Sequence, residues 1–137
     1  MISVIGSINM DLVTSTARFP KQGETVQGSS FAEVPGGKGA NQAVAAAKLG
    51  ADVQFIGAVG TDPFGQTLID NLMQYDIHCE AITKVEGSTG IANIILHDGD
   101  NRIIVIAGAN ERVSVDMVTQ HWAQIEKSDL VVLQLEI

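Results

Sequence analysis

The sequence predicts an α/β fold: a mostly parallel sheet with flanking helices and a second, smaller β-sheet. Three observations carry that prediction. Apolar runs at residues 2–6, 53–60 and 130–137 lack polar alternation, as strands covered on both faces require. Segments with helical spacing or helix-forming composition lie between them, at 39–49, after Thr61-Asp62-Pro63 and at 114–127. Two stretches, 12–34 and 91–106, break this rhythm with short polar-alternating or β-branched runs. The composition agrees, since 137 residues that are 45% hydrophobic and only 4% aromatic suffice for one core and do not resemble a helical bundle.

Taken in order, Ile2-Ser3-Val4-Ile5-Gly6 predicts a central strand. Ser7-Ile8-Asn9-Met10-Asp11 follows at its carboxyl end, where open α/β sheets bind ligands; Asn9 and Asp11 either face a ligand there or form an Asx turn that caps local backbone. Within 12–34, the runs at 13–16, 25–27 and 30–34 predict short strands of a separate sheet, punctuated by Pro20, Gly23 and Gly28.

Pro35-Gly36-Gly37-Lys38-Gly39-Ala40-Asn41-Gln42 then opens an alanine-rich helix that ends at Gly50. A glycine turn before a helix exposes unpaired N–H groups, suited to an anion or a ring of hydroxyls, or else it only permits close packing. Lys38 and Asn41 favour the first reading, because a packing loop needs neither a cation nor an amide.

Residues 53–60 predict a second buried strand. Asp62 and Pro63 predict a helix start whose apolar face is Phe64, Leu68, Ile69, Leu72 and Met73. His78 and Cys79 have no partners at metal-ligand spacing and are read as structural. Asp98-Gly99 between two β-branched runs predicts a hairpin, and the carboxylates at its tip lack the further ligands of a calcium loop. Ser114 predicts the N-cap of a helix to about Lys127, with Met117, Val118, His121, Trp122 and Ile125 buried. Residues 130–137 read as an interior strand. Ending there would leave an open edge and apolar surface, so the chain is expected to be the N-terminal part of a longer protein or to complete its sheet with a partner.

A formal charge of −8 with no cluster of Lys or Arg argues against a nucleic-acid partner. No apolar run approaches bilayer length, so no membrane partner is expected. A lone cysteine and an opening that reads as a strand rather than a leader predict a cytoplasmic protein.

Asn9, Asp11, Lys38, Asn41 and Glu136 are expected to converge on one rim of the sheet. Their carboxylates, amides and cation match a polyhydroxylated ligand, because each hydroxyl both donates and accepts. The glycine loop is not a Walker A element, since Lys38 is followed by Gly39, nor a dinucleotide fingerprint, since Gln42 stands where its last glycine would be.

At this point the motifs carry a resemblance. Gly36-Gly37-Lys38-Gly39-Ala40-Asn41-Gln42-Ala43 resembles the N-terminal sugar-kinase motif of the ribokinase (pfkB-like) family. Gly6-Ser7-Ile8-Asn9-Met10-Asp11, Ser88-Thr89-Gly90 with Ala92, Ala107-Gly108-Ala109-Asn110 and Leu133-Gln134-Leu135-Glu136 fall in the family's order. The resemblance covers residues 1–137 as the N-terminal part of one ribokinase-like domain, with a Rossmann-like, mostly parallel sheet plus a small β lid at about 12–34 and 91–106. It implies that Asn9, Asp11, Gly37, Lys38, Asn41 and Glu136 bind sugar hydroxyls, and that Ala92, Ile94 and Ile106 are apolar lid contacts. It also implies a homodimer formed through the lid.

The activity implied is transfer of the γ-phosphate of ATP, with Mg²⁺ and often a monovalent cation, to a pentose. Ribose is the expected pentose because Lys38 with Asn41 resembles ribokinases more than fructokinases or adenosine kinases. The family's catalytic aspartate, anion hole and ATP pocket lie downstream of Ile137, so no catalytic residue and no metal ligand is expected in this chain, and the chain alone is expected to be inactive. The alternative is a catalytically inactive sugar-binding or dimerisation module, or a structural fragment.

Overall fold

The computed structural model describes residues 1–137 and contains two four-stranded sheets. The first consists of β1 (Ile2–Ile5), β4 (Val53–Gly60), β5 (Ile82–Val85) and β8 (Leu130–Leu133), all parallel, in the order β5-β4-β1-β8. Every residue of β4 is buried, as its unbroken apolar run predicts. Helices α1 (Lys38–Lys48) and α2 (Pro63–Met73) supply one covering layer. Val4, Phe55, Ala43, Leu68 and Leu72 share the larger core with it. The neighbouring residues Ile5 and Ile56 point to the other face and meet Ala81 and Ile125, as period-two alternation requires.

The second sheet arises from the two stretches that break the α/β rhythm and takes the name lid sheet from the resemblance. It consists of β2 (Asn9–Thr16), β3 (Gly28–Gly36), β6 (Gly90–His97) and β7 (Asp100–Ile106), in the order β3-β2-β6-β7. Its central pair, β2 and β6, is parallel and the outer pairs are antiparallel. Asp98 and Gly99 both have positive φ, the signature of the two-residue hairpin that Asp-Gly favours.

Helix α1 ends in a Schellman arrangement. Gly50, at φ 89°, donates to the Ala47 carbonyl at 2.9 Å and Ala51 to that of Ala46 at 3.1 Å.

Four features differ from the sequence reading. Asn9 and Asp11 form no Asx turn: they lie on β2, and its backbone pairs with β3 on one side and β6 on the other. No strand forms at 25–27, because Glu24 closes a turn there. Its carboxylate takes both guanidinium nitrogens of Arg18, at 2.6 and 2.5 Å, and the Lys21 N–H at 2.9 Å.

The expected helix at 114–127 is two pieces, α3 (Val115–Gln120) and α4 (Trp122–Ile125), and only Ile125 of its apolar face is buried. The Thr119 hydroxyl donates to the Val115 carbonyl at 2.7 Å, a competition with the helical ladder that bends helices. Trp122 is exposed near Leu133 of β8; β8 itself lies at the sheet edge with Leu130, Val131 and Leu133 exposed, the open edge and apolar surface expected from the sequence. Met73 at the end of α2 is likewise exposed.

Asp62 ties the two sheets together. It caps α2 through the Gly65 N–H at 3.1 Å and accepts from the Thr89 N–H at 2.8 Å and the Thr89 hydroxyl at 2.5 Å. That hydroxyl in turn takes the Gly60 N–H at 2.9 Å. Partial desolvation pushes the Asp62 carboxyl upward, but the hydrogen bonds from Thr89 and Gly65 prevail and hold it below the ordinary value of 3.8. The stability it contributes is present above that ordinary value and is lost as pH falls through the lower folded one.

Asp62→Ala should therefore cost about 2–4 kcal/mol at pH 7 in urea unfolding, with the deficit shrinking on acidification. A deficit independent of pH would show that the carboxylate is not the anchor. At the glycines, Gly37→Ala should cost more than Gly50→Ala. Both have positive φ, but only at Gly37 would a Cβ strike backbone, 2.6 Å from Ile8 Cα. Melting temperatures of the two variants compare them directly.

Candidate ligand site

The site lies where β1 hands the chain to β2 and α1 begins. Glycine makes this junction possible. A Cβ on Gly37 would lie 2.7 Å from the Asn9 nitrogen, and one on Gly39 would lie 2.7 Å from the Gly6 carbonyl carbon. The backbones therefore touch directly, and the Ala40 N–H donates to the Ser7 carbonyl at 3.0 Å. The first turn of α1 thus spends one of its free donors on the sheet and is only partly open to a ligand.

Asn9 and Asp11, two apart on β2, share one face of the lid sheet. The carboxylate of Asp11 occupies the space beside Gly36 that a side chain would fill: a Cβ there would lie 2.5 Å from its Oδ2. Desolvation holds the Asp11 carboxyl above its ordinary value of 3.8. Asn9 is buried and borders a cavity of about 360 Å³ together with Ser7, Val105, Asn110, Leu135 and Glu136. That volume is in the range of small-molecule pockets.

Lys38, the first residue of α1, reaches across and pairs with Glu136. Both groups are exposed, so the pair contributes little stability. Glu136 lies beyond the end of β8, held there by Gln134. The Gln134 side-chain oxygen accepts from the Ser7 N–H at 3.0 Å and the Ser7 hydroxyl at 2.8 Å, while its backbone N–H donates to the Ile5 carbonyl at 2.9 Å.

The structure thus brings Asn9, Asp11, Gly37, Lys38 and Glu136 to one rim. Asn41, in the first turn of α1, is exposed and borders an adjoining small crevice with Ile8, Gly36 and Asn71. Of the apolar lid positions, Ala92 and Ile94 lie on the Asp11 face, because Ala92 is level with Asp11 in the β2–β6 ladder. Ile106 does not. It pairs with Ile91, one residue out of phase with Ala92, and so lies on the opposite face; Val105, opposite Ala92, borders the cavity instead.

Sequence reasoning also missed Asn110 and Gln134 as builders of the site. Their motifs were visible, but nothing local reveals that Asn110 contacts Ile8, 102 residues away.

The chain belongs to the pfkB family of carbohydrate kinases, whose model matches residues 1–135. Among relatives it is similar to the ribokinase of Lactococcus lactis subsp. lactis, with 53% identity over 137 residues, 99% of this chain and 46% of that protein. Among solved structures it is similar to the ribokinase of Giardia lamblia (TM-score 0.90, 39% identity, 99% of this chain and 45% of that one). It is also similar to Arabidopsis thaliana ribokinase complexed with ribose and ATP (TM-score 0.88, 34% identity, 99% and 45%). The chain therefore spans under half the length of the relatives it matches.

Burial that raises the Asp11 pKa has a checkable consequence. The folded state penalises the charged form, so stability is gained as pH falls through the raised value. Asp11→Asn should accordingly leave the melting temperature at pH 7 unchanged or higher, and the Asp11 carboxyl carbon should titrate above 3.8 by NMR. Titration at or below that value would mean that the carboxylate is better solvated or better paired than this geometry allows.

Proposed function

We propose that the chain is the N-terminal, sugar-binding part of an ATP-dependent pentose kinase that converts ribose to ribose 5-phosphate in the full-length protein. The observation that carries this reading is a cavity bordered by Asn9 and Glu136, with Asp11 beside Asn9 on β2 and Lys38 paired to Glu136, on a chain of the pfkB family. Asp11 and Glu136 accept from hydroxyls, Lys38 and the Asn9 amide donate to their oxygens, and Gly37 lets the ring approach the backbone. The lid sheet, with Ala92, Ile94 and Val105 on its inner side, covers the apolar edge of the sugar. Similarity to a ribokinase solved with ribose and ATP supports the choice of pentose and phosphoryl donor.

The residues present do not fit the nucleotide. The cavity is bordered by Glu111 and by Glu136, whose charge Lys38 offsets, its lining holds no cation to receive a polyphosphate, and no group of three His, Cys, Asp or Glu stands together to hold a metal. ATP, Mg²⁺ and any monovalent cation would be held by the remainder of the longer protein. That remainder would also cover the edge of β8 and the surface around Trp122. The chain alone would bind without catalysing, and its activity in the longer protein would be cytoplasmic.

We further propose that the exposed apolar residues of the lid sheet, including Phe31, Ile104 and Ile106, form a homodimer contact. The face opposite Asp11 and Ala92 carries all three, which assigns Ile106 to that contact rather than to the sugar.

In the full-length protein, Asp11→Asn should weaken ribose binding by about 1–3 kcal/mol in calorimetry, without loss of melting temperature. Equal affinity of variant and wild type would remove Asp11 from the site. The isolated chain should show no phosphorylation of ribose by ATP; ordinary turnover would overturn the division of labour proposed here.

A further inference from the structure

We propose that Asn110 is a positioning residue that fixes which end of the Asn9 carboxamide faces the ligand, making Asn9 an obligate donor to a ligand oxygen. An asparagine amide can present either its oxygen or its NH₂, and at this site the choice decides whether a hydroxyl must donate or accept.

Asn110 is 1% exposed, and three backbone groups of fixed polarity fix its orientation. Its Oδ1 accepts from the Ile8 N–H at 3.0 Å, and its Nδ2 donates to the carbonyls of Ala107 at 3.0 Å and Ile8 at 3.3 Å. Reversing the amide would set a carbonyl oxygen against two others and an NH₂ against an N–H, so this orientation is dictated by the backbone. The two hydrogens of the same Nδ2 are shared among three acceptors, the nearest being Asn9 Oδ1 at 2.7 Å, so Asn9 must turn its oxygen inward.

Asn9 Nδ2 has no protein partner, and no buried side-chain nitrogen or oxygen is left unpaired. The NH₂ is therefore the end that opens on the cavity. Gly90 completes the device, since a Cβ there would strike both Asn9 Oδ1 and Asn110 Nδ2.

Asp11, the next residue on this face of β2, offers only acceptors when charged. A donor and an acceptor side by side suit a hydroxyl that gives its proton to Asp11 while its oxygen, or that of a neighbouring hydroxyl, receives the Asn9 N–H. The ligand class specified is thus a vicinal diol rather than a carboxylate or an amine. This deepens the sugar reading above and rests on it for the identity of the ligand; the orientation of the two amides does not.

The test has two arms in the full-length protein. Without ligand, side-chain hydrogen exchange by NMR should show the Asn110 NH₂ protected and the Asn9 NH₂ exchanging freely; the reverse overturns the proposal whatever the ligand is. With ribose, Asn110→Ala should weaken binding about 5- to 100-fold, and should change it less than about twofold in an Asn9→Ala background. An equal loss in both backgrounds would show Asn110 to be merely structural, and no loss in either would show it irrelevant to binding. If the wild type binds no pentose while the exchange pattern holds, the sugar reading fails and the positioning role stands.

Discussion

The direct contact of backbone with backbone at the start of α1 is the constraint on which the other features depend. Gly37 and Gly39 lie against Gly6, Ser7, Ile8 and Asn9 with no side chain between them. A helix is normally held off a sheet by the side chains that fill the gap between them. Here the first turn is brought closer, and the alanines that follow keep the rest of the helix near. The closeness lets Ala40 bond to Ser7, places Lys38 over the rim and sets β3, which ends at Gly36, beside the start of β2. One close approach therefore joins the helix layer, the parallel sheet and the lid at the point where the candidate ligand groups gather.

Around that point, buried and partly buried polar side chains perform work usually left to secondary structure. Asn110 binds the backbone at Ile8, Gln134 binds Ser7, and Asp62 with Thr89 binds Gly60 and Gly65. Apart from the local cap at Gly65, each joins segments at least 27 residues apart, and each lies where a strand of the parallel sheet or the lid begins or ends. Such bonds contribute modestly when made but cost heavily when a partner is left unsatisfied, so they define one arrangement of the loops rather than add much stability. The rim is thereby fixed before any ligand arrives.

Much of this was legible in the sequence. The alternation of apolar runs and helix starts identified the parallel sheet, the Asp98-Gly99 pair identified the hairpin, and the glycine loop with Asn9, Asp11 and Glu136 identified the rim. The failures have physical causes. Whether Asn9 and Asp11 cap a turn or pair in a strand depends on β3 and β6, which approach from 28 and from 90 onward. The side of the lid on which Ile106 falls depends on hairpin register, where a slip of one residue reverses the face, and spacing along one strand does not fix it. The exposure of Trp122 depends on which neighbours pack there, a long-range property that an apolar pattern cannot report.

On the sugar reading proposed above, the Lys38–Glu136 pair keeps the rim ready for a ligand. Left alone, a lysine and a glutamate each attract water and counter-ions and move freely. Paired, they neutralise each other and sit at the mouth of the cavity. An exposed pair contributes only about 0–1 kcal/mol, so a hydroxyl that inserts between the two charges, accepting from one and donating to the other, loses little by separating them. A buried pair would resist insertion, because several kcal/mol of desolvation would already have been compensated by the contact. Asp11 is the complement: it has no cation of its own, its burial raises the free energy of its charge, and a donated hydroxyl proton would relieve that. The two carboxylates on the sugar reading are thus prepared in opposite ways, one weakly satisfied and easily opened, the other unsatisfied until a donor arrives.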